Sequence, residues 1–426
     1  MEVYESEREY LSELEKRAVV PEGFLVSTES LKFYPVEREV KEPLSMNLSL
    51  IVTENPTPLF GAMFTRNAFP GAPVLIGREK LSSEYFKGVI INNKIANVRA
   101  PGGVEDAKKV LAELSRLLQE KEDYFFPSST GIIGWRIPVE QIVKVLPRLV
   151  KGLNNNSLLP IAKAIMTTDS FPKLRSERLG DGIVVGVAKG AGMIEPNMGT
   201  MLSYILTDVK VDREFLRDAL KECVDKSFNR ISIDGDQSTS DTVMLISSGR
   251  KSSVPEEFFY RGLLSVCRKL AEDIVRNGEG VAHVIEVTVK GAGNESLARE
   301  TGKAIVNSPL VKTAVFGNDP NVGRIVASIG DFLGNEGVAV ATDRVRILVG
   351  EEVVFERGYF SLDANKEKRL ADYLERCYMN PEVKGYPVHG EKVRIEVDLG
   401  MGEGKAVVVG ADLTYQYVKE NADYRS

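Results

Sequence analysis

Val187-Ala-Lys-Gly-Ala-Gly-Met-Ile-Glu-Pro-Asn-Met-Gly-Thr-Met-Leu202 is the stretch from which the rest of the chain is read. A glycine-rich, loop-like segment runs through Lys189 and Gly190 to the small residue Gly199, with Thr200 directly behind it. The apolar residues Met201, Leu202, Tyr204 and Ile205 then predict a helix that ends near Asp208. Thr200 has two readings. As a helix N-cap, its hydroxyl would accept a hydrogen bond from a free backbone N–H of the first turn. As a nucleophile on a tight turn, it could attack its own Gly199–Thr200 peptide bond, which glycine leaves sterically open. The freed α-amine would then serve as its base.

Composition narrows the field. A chain of 426 residues exceeds one ordinary core and predicts two or three lobes. Hydrophobic content of 43% and charged content of 27% are those of a water-soluble globular protein. No apolar run reaches the length of a membrane span. The acidic start, Met1-Glu-Val-Tyr-Glu-Ser-Glu-Arg-Glu, lacks the apolar core of a signal peptide, so a cytoplasmic location is expected. A net charge of −6, with no basic run interleaved with aromatics, argues against nucleic acid as a partner. Cys223, Cys267 and Cys377 are too few and too scattered for a disulfide framework or a zinc ribbon, and each is expected to be a small buried residue. Only His283 and His389 are present, which disfavours a histidine metal site or a Ser-His-Asp triad; no metal is expected, and an enzyme built from this chain needs another base.

The order of elements reads as α/β, with mixed sheets and flanking helices in two lobes. Residues 1–45 are charged and predict an irregular or partly helical arm. Strand-like runs follow at 46–53, 59–65, 73–76 and 88–91, punctuated by Gly and Pro. Val104, Ala107, Val110, Leu111, Leu114, Leu117 and Leu118 share one helical face. Ser128-Ser-Thr-Gly-Ile-Ile-Gly134 is a small-residue turn: either a plain capped turn, or a hydroxyl and an N–H aimed at a developing oxyanion. A strand at 182–187 leads into the opening stretch, and a helix starts near Asp212. Ser227 to Asp241 reads as a packed turn of Asx and Ser/Thr hydrogen bonds. Its acidic residues fail the calcium-loop pattern, with Thr239 where glycine is needed and Leu245 where a bidentate Glu is needed. Helices follow Pro255 and span 296–307 and 325–329, and the C-terminal third reads mainly as strands, at 337–342, 344–349, 352–356, 392–398 and 405–410. Gly402-Glu-Gly-Lys405 and Gly190-Ala-Gly192 both fall short of nucleotide-binding fingerprints.

Four separated stretches together resemble the ornithine acetyltransferase family (glutamate N-acetyltransferase, of arginine biosynthesis). Met198-Gly-Thr-Met-Leu202 is similar to that family's Met-Ala-Thr-Met-Leu self-cleavage motif. Ser227-Phe-Asn-Arg-Ile-Ser-Ile-Asp-Gly-Asp236, with Ser238-Thr239 and Asp241-Thr242, resembles its central signature. Asp319-Pro-Asn-Val-Gly-Arg324 resembles its Asp-Pro-Asn-Trp-Gly-Arg, and Tyr417-Val-Lys-Glu-Asn-Ala-Asp-Tyr424 its C-terminal ending. Thr130-Gly131 and Met166-Thr-Thr-Asp169 add to the set, so the resemblance runs from about residue 46 to the end.

The resemblance implies an ornithine-acetyltransferase-like fold made as one precursor that cuts itself between Gly199 and Thr200. An N-terminal arm of residues 1–45 would precede an alpha-chain lobe, 46–199, and a beta-chain lobe, 200–426. It further implies ping-pong transfer of an acetyl group from N-acetylornithine to glutamate through an acetyl-Thr200 ester. Thr130 and Gly131 would form the oxyanion hole, and Thr167, Lys189, Thr200, Glu279, Asn421 and Ser426 would contact substrate. No cofactor is implied, acetyl-CoA being open as a second acetyl donor. The implied partners are small amino-acid substrates, without nucleic acid or membrane, in a heterotetramer of two alpha and two beta chains.

Asn92-Asn-Lys-Ile-Ala-Asn-Val-Arg-Ala-Pro-Gly102 departs from the family, with Lys94 and Arg99 where small residues are usual. If this loop borders the pocket, substrate preference could shift. Two other function classes stay open at this stage: a hydrolase that passes the acyl group from the same threonine to water, and a non-catalytic relative that never matures.

Overall fold

In the computed structural model, which describes residues 1–195 and 201–423, two sheets face each other and helices cover their outer sides. The first sheet has four strands in the order Phe24–Phe33, Leu44–Thr57, Phe86–Asn92 and Phe125–Ser129. The second has five, in the order Phe60–Phe64, Thr242–Lys251, Leu202–Val209, Gly182–Lys189 and Lys173–Leu179. Their inner faces share one core. Ile51, Val89, Ile91 and Phe126 from the first sheet meet Val185, Tyr204, Leu206 and Ile246 from the second. Phe60 and Phe126 stack edge to face at 5.7 Å within it, and the Tyr204 hydroxyl donates across the sandwich to Ser128 Oγ at 2.7 Å.

The outer face of the first sheet (Leu48, Leu50, Val52, Ile90) carries helices Gly103–Leu118 and Val139–Lys151. The outer face of the second (Val184, Ile205, Val243, Leu245) carries helices Arg213–Asp225 and Glu256–Arg276. The result is a helix–sheet–sheet–helix lobe in which the central strands are buried on both sides. A second lobe is built on a seven-stranded sheet around Val284–Ala292, flanked by Val393–Asp398 and Gly404–Ala411. Helices Glu295–Asn307, Val322–Asn335 and Ala364–Cys377 cover one of its faces. Fold class and two-lobed layering therefore agree with the sequence reading.

Several local expectations need correction. The residues after Thr200 form the strand Leu202–Val209, not a helix. All eight are buried, between Gly182–Lys189 on one edge and Thr242–Lys251 on the other. A run apolar on both faces carries no strand alternation, so periodicity could not separate it from a buried helix. Conversely, the stretch 73–76, read as strand-like, lies in helix Ala72–Lys80, with Pro73 in the first turn where a missing N–H costs nothing.

The segment 1–45 holds helix Glu7–Arg17 and the full strand Phe24–Phe33, whose Phe24 and Val26 lie in the shared core. Nor do the lobes divide at residue 199. The five-stranded sheet takes Phe60–Phe64, Lys173–Leu179 and Gly182–Lys189 from before that point and Leu202–Val209 and Thr242–Lys251 from after it. In the C-terminal third, 337–342 forms no strand, and helices Ala364–Cys377 and Tyr415–Asp423 appear where none was read. The first of these had a signal: Asp363 caps the N–H groups of Asn365 and Lys366, and Leu370, Leu374 and Cys377 mark one buried face. All three cysteines are free and buried.

Among the described residues no helix is long and apolar enough to cross a membrane, and no group of three or more His, Cys, Asp or Glu side chains is placed to hold a metal ion.

Candidate active site

The antiparallel pairing of Gly182–Lys189 with Leu202–Val209 sets Lys189 directly opposite Leu202. Lys189 is thus fixed beside the start of the strand that follows the 196–200 segment. Gly199 and Thr200, like Ser426, lie outside the described residues. A cavity of about 650 Å³ opens at this point. Its wall includes Thr130, Gly131, Thr167, Lys189, Glu279 and Asn421, which are all of the described residues singled out from the sequence as site candidates, and it reaches Met201.

Lys189 is the hub of the inner wall. Its ammonium donates to Thr167 Oγ1 at 2.9 Å and to Thr130 Oγ1 at 3.2 Å. A hydroxyl that accepts from an ammonium keeps its own proton free to donate, so both threonines can present an O–H toward a ligand. The Thr130 N–H is already committed to the Asn92 carbonyl at 3.0 Å, which leaves the side chain as what Thr130 offers. Gly131 follows with φ +122°, and a Cβ there would lie 2.2 Å from the Lys94 carbonyl carbon. Only glycine fits so close an approach.

Asp169 holds this wall in register. One carboxylate oxygen accepts from Lys173 Nζ at 2.6 Å and from the Gly190 N–H at 2.7 Å. The other accepts from the Thr167 N–H at 3.0 Å. Burial alone would raise its pKa, but the charges of Lys173 and Lys189 outweigh it and hold the carboxyl well below the usual range. Lys189 itself has no carboxylate within ion-pair distance among the described residues, which leaves a cation available at the cavity's inner end.

The outer part carries Glu279 and Asn421. Glu279 lies across Gly192, where a Cβ would meet its carboxylate at 2.4 Å. Its Oε2 accepts from Asn421 Nδ2 at 2.9 Å. Asn421 arrives on helix Tyr415–Asp423, anchored where the Thr414 hydroxyl accepts from the Tyr417 N–H at 3.0 Å and donates to the Gly280 carbonyl at 2.7 Å. The turn around Asp234 reads as expected: its carboxylate accepts from the N–H groups of Met193 at 2.6 Å, Ile194 at 2.8 Å and Asp236 at 3.3 Å. These bonds pin the chain just ahead of the 196–200 segment.

The departing loop 92–102 touches the cavity through Ala96. Lys94 supports Gly131 from behind with its backbone, its carbonyl accepting from the Ile132 N–H at 2.9 Å. Arg99 is turned to the Phe69 ring, 5.3 Å from its centroid. Neither cation lines the pocket, and neither does His283 or His389. His283 is buried against Asp412, Nδ1 to Oδ2 at 2.8 Å.

Sequence reasoning assigned no role to Asp241, Lys384 or Glu420, which also line the cavity. Asp241 belongs to a quoted motif and could have been flagged there. Glu420 lies in the quoted C-terminal motif beside Asn421 and could have been flagged as well, whereas Lys384 carried no signal beyond being charged. Burial pushes the Asp241 carboxyl well above the usual range, although the hydroxyls of Thr65 and Ser238 and the charge of Lys189 pull the other way.

Comparison with known proteins places this site in context. A profile of the ArgJ family matches residues 32–426. The chain is 36% identical over 413 residues to the arginine biosynthesis bifunctional protein ArgJ of Geobacter sulfurreducens, covering 94% of this chain and 100% of that one. It is 39% identical over 393 residues to the glutamate N-acetyltransferase of Methanocaldococcus jannaschii, covering 88% of this chain and 93% of that one. A crystal structure of the arginine biosynthesis bifunctional protein argJ from Bacillus halodurans is 37% identical, covers 53% of this chain and 100% of that chain, and has a TM-score of 0.45.

The state of Asp241 has a measurable consequence. With its pKa raised, the folded protein keeps a proton that the unfolded chain releases above about pH 3.9. The unfolded state then binds fewer protons, so this group's contribution to stability falls as pH rises from about 4 toward the raised value. Asp241→Asn removes that loss. Thermal melts of the two proteins should show the variant more stable at pH 7, with the gap closing near pH 4. A variant whose deficit relative to wild type grows from pH 4 to pH 7 would show that Asp241 is charged in the fold.

Proposed function

The chain belongs to the ArgJ family, and from that premise we propose that it is an acetyltransferase of arginine biosynthesis which moves the acetyl group of N-acetylornithine to glutamate. The observation that supports this most directly is the cavity at Met201, whose lining combines an ammonium with no carboxylate in ion-pair distance among the described residues, two oriented hydroxyls and a carboxylate. A lysine suits the carboxylate of an amino-acid substrate and a glutamate suits an ammonium. We assign Lys189 to the former and Glu279, braced by Asn421, to the latter, with Thr167 and Ser426 as further substrate contacts.

In this reading maturation comes first. The Thr200 hydroxyl attacks the Gly199 carbonyl, the acyl group shifts from nitrogen to oxygen, and water hydrolyses the resulting ester. Thr200 then carries a free α-amine, whose ordinary pKa of about 7.7–8.0 leaves much of it neutral near physiological pH. That amine takes the hydroxyl proton as Oγ adds to the acetyl carbonyl of N-acetylornithine. The oxyanion is met by the Thr130 hydroxyl and the Gly131 N–H. Collapse expels ornithine, whose nitrogen receives the proton, and leaves acetyl-Thr200. The α-amine of glutamate adds to the ester carbonyl in turn, and N-acetylglutamate departs with the Thr200 oxygen reprotonated. A general base supplied by the chain end needs no histidine, which suits a cavity lined by neither of the two.

No cofactor takes part in these steps. Acetyl-CoA, which carries its acetyl group as a thioester, is a candidate second donor, and N-acetylglutamate formed from it without N-acetylornithine would establish that use. For the assembly we propose two copies of each fragment. The native mass should then lie near twice the 47.0 kDa of the chain, and a mass near the single value by light scattering would exclude it.

Intact mass of purified protein should give two fragments, residues 1–199 and 200–426, while Thr200→Ala stays whole; cleavage at the same bond in that variant would rule out this mechanism. In cleaved protein, Thr130→Val keeps shape but removes the hydroxyl, and kcat should fall by roughly 10²–10³. An unchanged kcat would leave Thr130 without a role in the oxyanion hole. N-Acetylornithine supplied with glutamate should yield ornithine and N-acetylglutamate together; free acetate alone would mean hydrolysis.

A further inference from the structure

The two half-reactions set a problem that Glu279 and Lys189 do not solve between them. N-Acetylornithine and glutamate share an α-carboxylate, which Lys189 suits in both. Their side chains end in opposite charges: an ammonium on ornithine and a carboxylate on glutamate. A pocket built only around Glu279 would hold the first and repel the second. Among the described lining residues there are two cations, Lys189 and Lys384.

Lys384 lines the same cavity as Glu279, Glu420 and Asn421. Its backbone neighbour is fixed to the cavity wall, because the Gly385 N–H donates to the Ser170 carbonyl at 3.1 Å, three residues beyond Thr167. Its ammonium is paired with Glu420 Oε1 at 2.9 Å, and the same oxygen accepts from Gln416 Nε2 at 2.9 Å. Glu420 precedes Asn421 on helix Tyr415–Asp423, so this pair lies next to the Asn421–Glu279 pair. The Lys384 side chain is half exposed, at 51%. An exposed ion pair of this kind contributes little to stability and is readily exchanged. Gln416 remains to hold Glu420 when the lysine leaves.

We propose that Lys384 is the acceptor-specificity residue. It leaves Glu420 to bind the side-chain carboxylate of glutamate in the second half-reaction, and returns to Glu420 when the ammonium of the donor lies against Glu279. The mouth thereby offers a carboxylate to one substrate and an ammonium to the other without rearranging the fold. This rests on the acetyl-transfer reading above and names how the same cavity takes both side chains.

The experiment separates the half-reactions on the full, matured protein. Ornithine released from N-acetylornithine reports the first; the ratio of kcat/KM for glutamate to that for glutamine, its uncharged isostere, reports the second. Lys384→Met should reduce that ratio by about tenfold or more, the worth of one hydrogen bond to a charged group. Ornithine release should continue, which also shows that the variant is folded. Lys384→Arg should restore most of the preference. A glutamate-to-glutamine ratio unchanged in Lys384→Met overturns the proposal, as does equal damage to both half-reactions. A wild-type protein that releases no ornithine overturns the functional reading itself, and the subsite with it.

Discussion

A buried carboxylate with two cationic neighbours governs this site. Asp169 accepts from Lys173, from the backbone N–H at Gly190 and from that of Thr167, and so ties the loop that carries Thr167 to the end of the strand that carries Lys189. Both partners of the Asp169–Lys173 bridge are fully buried. Such a pair adds little net stability compared with apolar packing, but removing one partner strands the other charge, at a cost of about 3–5 kcal/mol. Its value here is geometric. With Lys173 saturating one side of Asp169, Lys189 is left to donate to the two threonine hydroxyls.

The layers behind the site explain why its parts stay put. The 129–131 turn ends a strand of the first sheet, Lys189 ends a strand of the second, and Tyr204 bridges the sheets to Ser128. The loop 92–102 runs behind the turn, and Asn93 Nδ2 reaches the Met166 carbonyl at 2.9 Å. That loop therefore joins the Thr130 turn to the Thr167 loop. Lys94 and Arg99, which depart from the family pattern, are absorbed by this scaffold role and by Phe69, not by contact with the cavity. The charged and amide side chains of Glu279, Asn421, Glu420 and Lys384 do line it.

Much of this was legible in the residues, and the limits have physical causes. Thr130, Gly131, Thr167, Lys189 and Asn421 were readable from motifs and Glu279 only through what the resemblance implies, and the fold brings all six to one cavity. Layer order was legible wherever one face of an element is wet, as in the helix over 104–118. It failed at Leu202–Val209 because burial on both faces erases the alternation that betrays a strand. Helix Ala364–Cys377 was obscured by its abundance of charge, although its cap and its buried stripe were present in the sequence. Lys384 was illegible for a different reason: it sits in a Pro/Gly-rich loop, and nothing in a linear chain records that this loop folds over the mouth beside the last helix.

The position of Leu202–Val209 carries one more consequence. It is an interior strand, bordered by a segment from before residue 195 on one edge and by a segment from after it on the other. A backbone cut within 196–200 would therefore create a chain end at the heart of a sheet without creating a sheet edge. The two pieces would remain woven through a common hydrogen-bond ladder and a common core, and would come apart only by unfolding. Processing at that point would be a change of chemistry at fixed architecture: the nick would add a terminus while the ladder of Leu202–Val209 with its two neighbours stayed closed.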